Sequence, residues 1–386
     1  MKICFVVQRY GLDIVGGAEY LTRLVAERLN QYHSIEVLTT CARDYRTWNN
    51  EYPEGSEEIN GVIVRRFKTY KQRDTNQVNK IQDKIFYNAH SKNDEIQWIH
   101  ENGPDSPDLI RFVKEMQEDY DCFVFFTFRY YPSYYGIKCV GRRSFLAPFA
   151  ENEPALDLDT TKEIFQNAKG IIYSTPEERT LIRERTGIDD DEKFWDIVGC
   201  GIEIPDSCYD EKSDVPNGNY IIYVGRIEGS KGCYQLFEYY QRMVNDYPET
   251  PDLILVGADH IGIPSHKKIK YLGFVSEKEK FQYIKNSKFL IMPSPYESLS
   301  LVTLEAMACK TPVLVNGECE VLKGHCLRSN AGLYYNNYDE FVECTNYFLI
   351  HSDVRTKMGD NGSQYIQNNY SWEKICNSYL KLFNQI

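Results

Sequence analysis

Short apolar runs alternate with helical patterns along the whole chain, and the alternation runs through twice. Such a pattern is that of parallel sheets covered on both faces by helices. In the first half, KICFVVQRY, SIEVLTT, GVIVRRF, CFVFFTF, RSFLAPF and GIIYST read as strands. Between the first two, AEYLTRLVAERLNQY places Leu21, Leu24, Val25 and Leu29 at helical spacing. TPEERTLIRERTG reads as a helix opened by Thr175 and Pro176 and stopped by Gly187. In the second half, YIIYVGRI, PDLILVGAD, IKYLGFV, KFLIMPSP and PVLVNG repeat the theme. The polar stretch CYDEKSDVPNGN (208–219) reads as the linker between the halves. With 386 residues, two doubly wound α/β domains are expected. The segment 71–118 is polar and weakly periodic and is expected to form helical hairpins inserted in the first domain.

Charge and cysteine usage exclude several classes. The net charge of −12 argues against a duplex-binding protein, whose affinity comes from cations placed on phosphates. Twelve cysteines are scattered with no C-x-x-C pair, and several lie in apolar runs where a thiol acts as a small hydrophobe. Reduced thiols and a cytoplasmic setting are expected. The apolar stretch Ile3–Val7 is too short for a signal peptide, and no segment approaches the ~20 apolar residues that span a bilayer. One string, Arg65, Arg66, Lys68, Lys71 and Arg73 with Phe67 and Tyr70, has two readings. It is either a peripheral contact with an anionic membrane surface or phosphate-linked acceptor, or a solvated face.

The densest chemistry lies in PSPYESLSLVTLEAMACKTPVLVNG, where a strand ends in a loop bearing Glu297 and a helix starts near Ser298–Ser300. Glu305 follows on that helix. In doubly wound folds ligands bind at such strand-to-helix junctions. The amides of Leu299, Ser300 and Leu301 would point out of the helix terminus toward a phosphate or sugar oxygen. The flanking carboxylates accept hydroxyl hydrogens. The plain alternative is that Glu297 caps the helix and Glu305 merely rides on it. A second junction, YVGRIEGSKGCYQLFEYY, carries Arg226 and Lys231 around a glycine turn, two cations suited to a diphosphate. A third, Gly16-Gly17, opens the first helix and lets backbone approach a ligand.

Taken together, Glu297 and Glu305 with Arg226 and Lys231 resemble the E-x(7)-E motif and its upstream cations in the retaining glycosyltransferases of family four. The resemblance covers nearly the whole chain and is densest over 220–335. It implies the GT-B fold, two Rossmann-like doubly wound domains facing across a cleft. The first would span 1–205, rejoined by the closing helix at about 370–386, and the second 206–369. It implies a nucleotide-diphosphate sugar donor, UDP- or GDP-linked, with no metal or other cofactor. Arg226 and Lys231 would hold the diphosphate, Glu305 the ribose, and Glu297 with Ser298 and the neighbouring amides the sugar. Phe274 and Val275 match the segment whose backbone meets the base, and Gly16 and Gly17 face the donor from the first domain.

One departure stands out. In LAPFAENEPAL, Glu151 and Asn152 occupy places where similar enzymes carry His and Asp, while Glu153 and Pro154 keep the pattern. Glu151 is therefore expected at the reaction centre, stabilising a cationic transition state or binding a sugar hydroxyl. The acceptor is expected to be a glycan, a lipid-linked chain or a protein, in bacterial surface-glycan assembly, and not a nucleic acid. Rival readings are a catalytically weakened binding partner in such an assembly, or another GT-B enzyme such as a nucleotide-sugar epimerase. The acidic strings Asp157-Leu158-Asp159 and Asp189-Asp190-Asp191 are read as a helix cap and a solvated turn, and the scattered histidines form no metal site.

Overall fold

Strand order, more than strand count, decides where this chain can bind anything. The computed structural model describes Met1–Ile386 except Val15, residues 206–214 and 216–217. The stretch read as a linker, 208–219, thus falls mostly outside the described residues. The chain divides into two units, Met1–Cys200 with Ile375–Ile386, and Gly201–Lys374.

The first unit holds β1 (Lys2–Val6), β2 (Ser34–Thr40), β3 (Gly55–Ile59), β4 (Val62–Phe67), β5 (Cys122–Phe126), β6 (Ser144–Ala147), β7 (Gly170–Tyr173) and β8 (Phe194–Ile197). They form one sheet in the order β3-β4-β2-β1-β5-β6-β7-β8. All neighbours run parallel except the hairpin β3–β4. Every residue of β5 is buried, as expected of a central strand covered on both faces. The chain winds outward from β1 through β2 to β4, then returns to lay β5 on the other side of β1. The switch point of this sheet therefore lies between β1 and β5.

The segment 71–118 folds as three helices, Thr75–Tyr87, Lys92–Asn102 and Pro107–Glu115. Their polar sequence conceals apolar stripes: Val78, Ile81, Ile85, Trp98, Ile99, Leu109 and Val113 all enter the core. The string of cations beside it is neutralised within the unit. Arg65 pairs with Glu36, Arg66 with Glu57, Lys68 with Glu54 and Lys71 with Glu101. Arg73 donates to Tyr45 O and Asn102 Oδ1.

The second unit holds β9 (Tyr220–Val224), β10 (Asp252–Val256), β11 (Ile269–Gly273), β12 (Leu290–Met292), β13 (Val313–Asn316) and β14 (Gly332–Tyr335). Their order is β11-β10-β9-β12-β13-β14, all parallel. The switch point is between β9 and β12. The closing helix, Trp372–Phe383, buries Ile375, Cys376, Tyr379, Leu382 and Phe383, and residues from Ile375 onward belong to the first unit. There Phe383 meets Phe145 of β6, ring centroids 5.7 Å apart.

Two short readings need correction. Asp159 does not cap its helix: the N-cap is Leu158, and Glu95 from a neighbouring helix accepts from Asp159 N, Thr160 N and Thr160 Oγ1 instead. Nor is Asp190 in a solvated turn. It is fully buried, clamped by Arg179 and Arg183 and by the Tyr173 hydroxyl. Both errors have one cause, a side chain distant in sequence that changes the local environment.

Candidate functional site

At the switch point of the second sheet the loops after β9 and β12 touch. Gly232, with φ of +74°, lets them do so: a Cβ there would lie 2.1 Å from Pro293 O, the first residue beyond β12. The two loops thereby bring Lys231 and Glu297 together, Nζ to Oε1 at 2.9 Å, with side chains 20% and 13% exposed. Glu297 does not cap the following helix. That helix runs Leu301–Ala308, its N-cap is Ser300 in the left-handed region at φ 63°, and no side chain caps it. Among the described residues no hydrogen bond is made to the amides of Leu299, Ser300 or Leu301. The turn thus presents donors and the positive end of a helix dipole beside the Lys231 ammonium.

This turn is held from behind. His325 is fully buried, with Nε2 3.0 Å from Leu299 O and Nδ1 3.2 Å from the Tyr365 hydroxyl. A carbonyl can only accept, so Nε2 carries the proton and Nδ1 accepts from Tyr365. Burial lowers the imidazole to about 3, with the Arg328 charge acting the same way, so it is neutral at pH 7.

Arg226, at the same junction, pairs with Glu228 at 3.2 Å and is 44% exposed. Glu305 lies on the inner side of its helix, 8% exposed, with Lys280 Nζ 2.9 Å from its Oε1. Gly273, at φ 69°, turns the end of β11 so that Phe274 stands 70% exposed, and Val275 leads into the capping box of the helix Glu277–Asn286.

The switch point of the first sheet carries a second polar group of residues. Gly16 is the N-cap of the helix Gly17–Leu29, and the Glu19 carboxylate folds back over its α-carbon. A Cβ on Gly16 would fall 2.2 Å from Glu19 Oε2. Arg9 donates from Nε and Nη2 to Glu19 Oε1, at 2.9 and 2.6 Å, and Gln8 donates to the same oxygen. Thr127, just past β5, donates to Gln8 Oε1. Arg9 and Glu19 are each under 9% exposed, so this is a desolvated ion pair at a ligand-binding edge. Neither has a role in the sequence reading, although Arg9 lies two residues past the apolar run Ile3–Val7 and Glu19 two past the pair Gly16–Gly17.

Glu151 sits past β6 in a turn pinned at every neighbouring residue. Phe149 adopts φ 50°, and the Ala150 amide donates to Glu178 Oε1 at 2.6 Å. Asn152 Oδ1 accepts from Arg185, and Glu153 pairs with Arg129 at 2.6 Å. The Arg129 guanidinium also feels the Glu151 charge. Glu178 is buried and accepts a second amide, Ser174 N; desolvation raises it to about 7. Arg129, Arg185 and Glu178 were likewise absent from the sequence reading.

Among the described residues, Asp189, Asp190 and Asp191 are the one group of three acids within metal-ligand reach. Arg179 and Arg183 already engage Asp190 and Asp191.

Two parallel-sheet α/β units with polar clusters at both switch points define a GT-B fold. Residues 209–365, most of the second unit, match the glycosyl transferases group 1 family. An uncharacterized glycosyltransferase of Methanocaldococcus jannaschii is 23% identical over 221 residues, 54% of this chain and 48% of the relative. A trehalose synthase of Thermococcus litoralis is 26% identical over 192 residues, 45% of this chain and 46% of the relative. These alignments span about half the length of those relatives. Among solved structures, Anabaena HepE in complex with UDP and glucose superimposes with a TM-score of 0.72 at 15% identity, covering 100% of both chains.

Proposed function

We propose that this protein is a retaining, metal-independent glycosyltransferase that moves a hexose from a UDP- or GDP-linked donor to an acceptor hydroxyl. The observation that carries the reading is the Lys231–Glu297 pair beside the open amides of Leu299–Leu301, at the switch point of a group 1 domain. A sugar diphosphate supplies what that arrangement lacks: anionic oxygens for the ammonium and amides, and hydroxyls for the carboxylate. On binding, Lys231 exchanges part of its contact with Glu297 for a phosphate oxygen, which leaves Glu297 to orient the sugar. Arg226 adds a second cation for the leaving diphosphate, the work a divalent metal does in other transferases. Phe274 and Val275 line the base, with Ser298 beside the sugar. Glu151 serves the transferred sugar, with Gly16 and Gly17 on the phosphate side. The complex of HepE with UDP and glucose supports a uridine donor. The acceptor hydroxyl then attacks as the phosphate oxygen leaves and takes its proton. An acceptor in bacterial surface-glycan assembly, met at the inner face of the membrane, completes the reading.

The test is donor turnover in EDTA. Each sugar nucleotide is incubated with the protein, and free nucleotide and the configuration of the released sugar are followed by NMR. Retention at the anomeric carbon, lost in Glu297→Ala, is the expected result. Inversion, or full turnover by Glu297→Ala, would remove the assignment.

A further inference from the structure

A carboxylate that reads a ribose must be fixed in direction, and in Glu305 an ion pair supplies that direction. Its partner is Lys280, on the helix Glu277–Asn286. The Lys280 side chain is 13% exposed and that of Glu305 10%, and Nζ lies 2.9 Å from Glu305 Oε1. A second carboxylate, Glu277 Oε2, lies 2.9 Å from the same nitrogen. Burial draws the Lys280 ammonium down, but the charges of Glu305 and Glu277 outweigh it and hold the group above the ordinary lysine range. Among the described residues no hydrogen bond is made to Glu305 Oε2.

A desolvated ion pair of this kind adds little net stability, because losing water costs each ion about what the attraction returns. What it does provide is direction. The helix bearing Lys280 starts immediately after Gly273–Phe274–Val275, the segment assigned to the base, and its start is locked by the Ser276–Glu279 capping box. One rigid element therefore links the base segment to the carboxylate.

We propose that Lys280 is a positioning residue that sets ribose specificity: by occupying Glu305 Oε1 it fixes Oε2 to accept from the vicinal ribose hydroxyls. This rests on the reading of Glu305 as the ribose carboxylate. It adds that discrimination between ribose and a sugar lacking those hydroxyls depends on a lysine outside the Glu297–Glu305 segment. The positive charge matters as much as the contact, so Lys280→Arg should keep most of the effect and Lys280→Met should lose it.

The experiment is calorimetric titration of the full chain with whichever nucleoside diphosphate it binds, UDP or GDP, and with its 2′,3′-dideoxy analogue. The quantity read is the ratio of the two Kd values. The unaltered protein should favour the ribose form roughly ten- to a hundredfold, the range of hydrogen bonds to a charged group. In Lys280→Met the ratio should fall to within about threefold while the dideoxy analogue binds much as before. A Lys280→Met protein that keeps the full ratio, or weakens both ligands equally, overturns the proposal. Should that variant fail to fold, Lys280→Gln decides by the same ratio. Glu305→Ala separates the two readings: if it leaves the ratio unchanged, the ribose assignment of Glu305 itself fails. Glu277→Gln, which leaves the Lys280–Glu305 contact in place, should keep the ratio.

Discussion

Lys231 and Glu297, 66 positions apart, meet because Gly232 lets one loop press against the backbone of another. On the proposed reading Lys231, 20% exposed, is the stronger of the two phosphate ligands and Arg226, 44% exposed, the weaker. Lys231→Ala should therefore lower kcat/KM by roughly 1.5–3 kcal/mol of transition-state binding, about ten- to a hundredfold. Arg226→Ala should cost less, nearer about 1 kcal/mol, because exposure screens its charge. Steady-state kinetics of the two variants checks the order, and equal kcat/KM for both and for the unaltered enzyme would contradict the phosphate assignment. Glu151 presents a different case. Its turn is fixed through Ala150, Asn152 and Glu153, so the carboxylate is presented on a rigid backbone. Glu151→Gln keeps shape and loses charge, and should reduce kcat by at least tenfold with little change in donor Kd. Unchanged kcat would remove Glu151 from the chemistry.

At the scale of elements, the strands of the two central sheets were legible because burial on both faces writes continuous apolar runs into the sequence. CFVFFTF and YIIYVGRI contain β5 and β9, and SIEVLTT is β2 residue for residue. The misses have physical reasons. β3 (Gly55–Ile59, GSEEI) is an exposed edge strand with no apolar signal, made a strand by its hairpin partner. β8 and β14 are short edge strands only partly buried. In the site, residue types at strand ends were legible, but their partners were not. Lys280, Arg9 and Glu178 act across folds of the chain, and no local pattern announces such contacts. Glu178 yields a pH prediction with a definite sign. Its ordinary value is 4.5 and burial raises it to about 7, so the folded state holds the proton more tightly than the unfolded chain. Its contribution to stability is complete below pH 4.5 and is lost as the pH rises through 7. Glu178→Gln lacks this term. Urea denaturation should show the advantage of the unaltered protein over Glu178→Gln to be larger at pH 5 than at pH 8, by up to about 3 kcal/mol. An advantage that grows with pH would contradict the assignment.

Across the whole molecule, the first unit is built from both ends of the chain. Residues Ile375–Ile386 complete it, with Tyr379, Leu382 and Phe383 buried among its helices and strands. Phe383→Ala should destabilise the first unit by about 3–5 kcal/mol, the usual cost of truncating a buried ring. Multi-domain chains often unfold in stages, so thermal unfolding should then show an early step that a nucleotide shifts less than the later one, because the cations and amides proposed to hold the nucleotide, Arg226, Lys231 and Leu299–Leu301, lie on the other unit. A single transition at the unaltered temperature would contradict it. The cations at 65–71 that suggested a membrane face each have a carboxylate partner, which leaves that face close to neutral. No described helix is long and apolar enough to cross a membrane.

The proposed function requires the second unit to hold a nucleoside diphosphate through its own cations and amides. Calorimetric titration of the full chain with UDP, GDP and ADP, in EDTA, tests it most directly. Micromolar-range binding of one base series, weakened roughly tenfold or more in Lys231→Ala, is the predicted result. A folded protein that binds none of the three without metal, or binds equally well without Lys231, would contradict the account.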